Sequence, residues 1–181
     1  MIGESYFWRR ELKLLLGEID VWGKELAMND DSDEAAFRLE RCLFLSAFAT
    51  RKLIESEKVP DSVASRSLRC ETFPAIEKVS RRLSVYSFDN LYDFHSPKEV
   101  QLPLRQVCNE LIHSRLLANC VGDHGELAGF LVASDRNVDE RMIMIPIEEW
   151  CSAITLVSEK SITAIHKSYD PRSGKVVTKL D

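Results

Sequence analysis

The sequence predicts an α+β fold dominated by helices: a bundle of long helices with a small three-stranded antiparallel sheet inserted before the last helix. Three observations predict it. Apolar residues recur every three or four positions over 5–28 and again over 33–58, the period of a helix with a buried side. From about 115 to 146 the period shortens to two, that of a strand. The chain has 181 residues, 45% hydrophobic and 29% charged, which suits one globular domain with a core of its own. We expect that domain over 1–170, with strands at about 115–146, and a short, loose, polar C-terminal tail over 171–181.

The first helix should run from Ser5 to Met28, with Phe7, Leu12, Leu15, Leu16, Ile19, Trp22 and Leu26 along one stripe. Gly17 and Gly23 weaken it by up to ~1 kcal/mol each and permit close approach of a neighbour. Asn29-Asp30-Asp31-Ser32-Asp33-Glu34 reads as a turn and helix start, where short acceptors cap free N–H groups and acid suits the positive end of the helix dipole. The second helix should span Asp33 to about Lys58, with an apolar face wide enough for burial on more than one side, and Pro60 ends it. Between Pro60 and Pro103 we expect a short helix over 73–79 and a loop from Ser87 to Pro97, whose Phe88, Leu91, Tyr92 and Phe94 pack back on the body. A third helix should cover about Leu102 to Ile112, with Leu104, Val107, Cys108, Leu111 and Ile112 buried. Strands are expected over Arg115–Val121, Leu127–Ser134 and Arg141–Pro146, joined as a meander. Alternation sets Met142 and Met144 on one face and Ile143 and Ile145 on the other. A last helix is expected from about Ile147 to Ser168.

The net charge of −5 argues against broad, sequence-independent nucleic-acid binding, which needs a positive field. Cys42, Cys70, Cys108, Cys120 and Cys151 are odd in number and form no CxxC, so reduced, buried thiols are expected rather than disulfides or a metal site. No stretch approaches the ~18 apolar residues of a membrane span, and the charged N-terminal stretch does not read as a signal peptide. These point to a cytoplasmic protein without membrane contact. No phosphate loop, dinucleotide fingerprint or nucleophile elbow occurs, and no cofactor is expected.

The most informative stretch is the end of the third helix. Arg105, Asn109 and His113 are spaced four apart and share a helix face, and Arg115 follows just past the end. A histidine there suits acid–base work, and Arg105 and Arg115 suit a phosphate or carboxylate. The structural reading has Asn109 and His113 bonding the helix end and the following strand. Two other groups were weighed. Arg51, Lys52, Arg66, Arg69, Arg81 and Arg82 form a basic set that reads as solvated surface. Trp8, Trp22, Trp150, Phe7, Phe37 and Phe48 fall on core positions, with lining of an interhelical ligand pocket as the alternative.

The run Cys108-Asn109-Glu110-Leu111-Ile112-His113 resembles the motif of the HEPN superfamily of helical bundles: an arginine, a polar residue, a few variable positions and a histidine near a helix end. The match is at Asn109 and His113; Cys108 stands at the arginine's place, and Arg105 lies upstream of the usual spacing. In the nuclease members that arginine and histidine cleave RNA across a homodimer interface. The resemblance would make His113 the general acid or base on a ribose 2′-OH, and Arg105 or Arg115 the stabiliser of the phosphorane. Loss of one such donor typically costs ~10²–10³ in rate. The expectation is therefore a non-catalytic HEPN-like binding or regulatory module, with a protein partner or a second copy and RNA as a further candidate. The alternatives are a metal-independent endoribonuclease using His113, and an interaction protein unrelated to HEPN whose sheet is the contact surface.

Overall fold

Ser5–Met28 form helix α1 over the span that the periodicity predicts, with Leu12, Leu15, Ile19 and Leu26 buried. The computed structural model describes residues 4–28, 32–79, 90–170, 172 and 175–181. The expected turn at Asn29–Asp31, the residues Arg81, Arg82 and Phe88, and most of the turn over 170–174 lie outside the described residues. Gly23 lets the strand that begins at Leu127 come close, for a Cβ there would meet Leu127 Cδ2 at 3.0 Å. Helix α2, Asp33–Glu55, starts at Ser32, whose Oγ accepts the Ala35 N–H at 3.2 Å. Such a cap contributes ~1 kcal/mol. The helix ends before Lys58: Glu57 turns left-handed at φ 53°, and the N–H groups of Glu57 and Lys58 donate back to Ile54 and Leu53. That closure satisfies the last carbonyls.

The order then runs α3 (Asp61–Ala64), β1 (Ser67–Pro74), β2 (Lys98–Pro103), α4 (Leu104–Ile112), β3 (Ser114–Val121), β4 (Leu127–Ser134), β5 (Arg141–Pro146), α5 (Ile147–Glu159), β6 (Ile165–Asp170) and β7 (Lys175–Leu180). The meander β3–β4–β5 forms as expected, but it is part of a five-stranded antiparallel sheet of order β2-β1-β5-β4-β3, with β6 and β7 as a separate two-stranded sheet. This corrects the three-stranded sheet. The residues expected as a short helix over 73–79 begin in β1, where Phe73 and Pro74 pair with Met142 and Arg141. The last helix stops at Glu159, where Lys160 is already extended, and Ile165 opens a strand. The tail expected to be loose is β7, in register with β6 from Asp170↔Lys175 to Ile165↔Leu180.

The sheet carries a core on both faces. Phe130, Val132, Ile143 and Ile145 pack under the helices, with Phe130 edge-on to Trp150 at 6.2 Å. Met142 and Ala133 face the other way, with Phe73, Leu91, Tyr92 and Val138. The expected split of methionines from isoleucines in β5 is thus realised. Trp150 is fully buried and Trp8 and Trp22 partly so, whereas Phe7, Phe37 and Phe48 are exposed, against the core positions assigned to them. Buried Arg9 ties three elements together: its guanidinium donates to the carbonyls of Val157 (2.6 Å) and Lys160 (2.5 Å) at the end of α5, and of Lys58 (2.6 Å) past α2. Among the described residues no helix is long and apolar enough to cross a membrane.

Candidate functional site

Helix α4 is amphipathic in a way that fixes its orientation: Leu104, Val107, Cys108 and Leu111 are buried, which turns Asn109 and His113 toward a cleft. Glu110 is buried too, although it is charged. Its carboxylate accepts the main-chain N–H of Ser134 at 3.4 Å and the side-chain amide of Asn137. The carbonyl of His113 accepts the Asp135 N–H at 3.0 Å. The C-terminal end of α4 is thereby stapled to the tight turn over 135–140, which is itself closed by N–H groups of Asn137 and Val138 on the Ser134 carbonyl. A buried carboxylate is tolerated because it is hydrogen-bonded to both groups.

The staple shapes a cleft of about 540 Å³. Arg51 reaches it from α2, Gln106, Asn109 and His113 from α4, Arg136 from the turn, and Arg141 from β5. His113 stands exposed at its lip, whereas Asn109 and Arg141 are half-buried. Two polar atoms in its wall are sealed from solvent without a partner: the acceptor Asn109 Oδ1 and the donor Nε–H of Arg141. Arg51 is held at 2.8 Å by Glu55, whose carboxyl lies below its ordinary value because Arg51 and Lys52 donate hydrogen bonds to it. Glu110 spends its charge on the staple. Asp135 also lines the cleft, and against that one acid Arg136, Arg141, His113 and the amides of Gln106 and Asn109 can hold a small anion, an arginine in bidentate fashion.

The structure therefore brings Asn109 and His113 together, as their spacing on α4 requires, but with different arginines. Arg105 does not line the cleft; it is exposed, 3.7 Å from Glu55. Arg115 lies on β3, where its charge bears on the phenol of Tyr92. Asn109 Oδ1 accepts no hydrogen bond, while the main chain of His113 bonds both the helix end and Asp135. Arg136 and Arg141 were missed as site residues because the fold brings them to α4 from other elements. Glu110 gave a usable signal: a carboxylate between Cys108 and Leu111 on the apolar side of a helix. Among the described residues the basic set does not converge, for Arg66 meets Ser152 and Arg69 meets Glu149, while Arg51 reaches the cleft.

The cysteines offer no thiolate near neutral pH. Burial pushes the thiols of Cys42, Cys70 and Cys108 up to about 12 and that of Cys151 to about 11, and raises Cys120 as well. Among the described residues no three His, Cys, Asp or Glu side chains gather as a metal ion would need. No family model, no curated protein and no solved structure matches the chain.

Proposed function

We propose that this protein is a non-catalytic binding module, of the HEPN-like kind that its α4 motif suggests, and that it holds an anionic group of its partner in the cleft beside α4. One observation carries the reading: Arg136, Arg141, His113, Gln106 and Asn109, which come from three separate parts of the fold, line one cleft. An oxyanion there accepts from the guanidinium groups and from the side-chain amides. The placement of Arg105 and Arg115 outside the cleft supports binding over RNA cleavage. The cations that share the cleft with His113 are Arg51, held by Glu55, and Arg136 and Arg141, none of which stands at the arginine position of the HEPN motif.

The test has two arms. Inorganic phosphate, compared with chloride at equal ionic strength, is expected to raise the Tm of the wild type. At ten times its dissociation constant it adds about 1.4 kcal/mol, a shift of a few degrees. The response is expected to vanish in Arg136→Gln/Arg141→Gln, and equal responses in the two proteins overturn the reading. In the second arm a mixed RNA pool is incubated in EDTA with wild type and His113→Ala. Neither is expected to cleave; cleavage lost in the variant replaces the proposal with a metal-independent ribonuclease. That second reading is favoured by the exposure of His113 in the same cleft as Arg136 and Asn109.

A further inference from the structure

The outer side of the α1–α2 hairpin is apolar where a monomer would place polar residues. On α1, Phe7, Leu14, Val21 and Met28 are 64, 54, 57 and 82% exposed. They are spaced seven apart, so they form one row along the whole helix, the repeat by which helices pack on other helices. On α2, Phe37, Leu45 and Phe48 are 58, 40 and 42% exposed. The two rows border one surface: a groove between the helices is lined by Leu14, Gly17, Val21 and Trp22 of α1 and by Arg38 and Arg41 of α2, and Phe48 meets Trp8 at 6.1 Å.

We propose that this face docks a second copy of the same chain, the two hairpins stacking into an antiparallel four-helix arrangement. Area is the first argument. At ~200 Å² for a large side chain, these exposures leave on the order of 700 Å² of apolar side chain in water. That exceeds the ~300–600 Å² patch usual for a monomer and approaches the ~800 Å² that each partner buries in a stable dimer. Symmetry is the second. The row on α1 is evenly spaced about its middle, so an antiparallel copy sets Phe7 against Met28 and Leu14 against Val21, as a two-fold axis demands. Gly17 sits at that middle, and a Cβ there would meet nothing within 4 Å, so space is open where the copies come closest. The charges bordering the groove are already matched within one copy. Glu18 pairs with Arg41 at 2.9 Å and Glu34 with Arg38 at 2.7 Å, while Arg38 lies over the Trp22 ring. The charges lining the groove thus meet their partners before the copies meet. None of this rests on the α4 cleft.

The experiment is the solution mass of the full chain by sedimentation equilibrium across a range of concentrations, for wild type and Leu14→Glu/Val21→Glu. Wild type is expected at twice the monomer mass at the upper concentrations, dissociating on dilution. The double variant is expected at the monomer mass throughout, with at least a hundredfold weaker association and unchanged far-UV circular dichroism. Both substituted sites are solvent-facing in the monomer, and the dilution series of wild type alone tests the proposal if the variant fails to fold. A wild type that is monomeric at every concentration overturns it, and one that then floats with phospholipid vesicles gives the face to a lipid surface instead. A dimer that persists in the folded double variant also overturns it, by placing the contact elsewhere.

Discussion

The guanidinium of Arg9 donates to three main-chain carbonyls, whereas Arg141 shields an Nε–H that meets none. Arg9 is buried at the junction of α1, the end of α2 and the end of α5, and every carbonyl that it takes has no other use at a helix end. Burial lowers its pKa, the cost of holding a charge away from water. Arg141 is half-buried in the wall of the α4 cleft, which Asn109 also lines. Counting partners separates the two roles. Where the guanidinium is spent on carbonyls of the fold, the residue belongs to the fold; where it lines a cleft with donors unspent, it is open to an anion.

Substitutions can break this contrast. The largest effect is expected for Arg9→Met, which keeps the aliphatic stem and leaves three carbonyls without their donor. We expect a loss of ~3 kcal/mol or more, and a fall in Tm of about 6–12 °C. A loss below ~1 kcal/mol in urea unfolding would mean that water replaces the guanidinium at no cost. Next comes a rise in pH. The thiols of Cys42, Cys70 and Cys108 and the phenol of Tyr92 are all raised to about 12, from ordinary values of 9.0 and 10.0, with burial as the main cause. A raised pKa gives stability that is whole below the unfolded value and lost as pH climbs toward the folded one. The protein is therefore expected to hold its stability up to about pH 9 and to lose it progressively toward pH 12, followed by urea midpoints across that range. A flat profile would show that these groups are not shielded. The smallest effects are expected at the cleft. Arg141→Met should change stability by less than ~1 kcal/mol yet remove half or more of the phosphate-dependent gain in Tm. Arg105→Ala, outside the cleft, should leave both within ~0.5 kcal/mol of wild type.

Much of the helical half was legible. The periodicity of α1 and the alternation of β4 and β5 located those elements to the residue, because each buries a regular series of large apolar side chains. β1 was not legible for a physical reason. Its inward positions Leu68, Cys70 and Thr72 include only one strong hydrophobe before Phe73, and Pro74 imitates a helix start. β2 is an edge strand with Val100 and Leu102 as its only apolar inward residues. The helical period ran on past Glu159 through Ile162 and Ile165, but Thr163 and Ala164 are held by the carbonyl of Asp181, a partner that no local pattern announces. At the site, Asn109 and His113 were visible because four-residue spacing on a helix is local information. Arg136 and Arg141 were not, since only the sheet and the Glu110 staple bring them to α4.

The Arg9 knot also sets a clock. Its acceptors at Val157 and Lys160 lie 148 and 151 residues further along the chain, and β1 must wait for β5 before it gains its second neighbour. On a ribosome the α1–α2 hairpin emerges before α4, β4 and α5, and its inner leucines stay uncovered until those elements arrive to pack on it. Joining segments so distant makes for slow collapse, since the entropy of closing the loop is lost before the contacts form. Of the five helices among the described residues, α5 is thus the one whose arrival locks α1 in place.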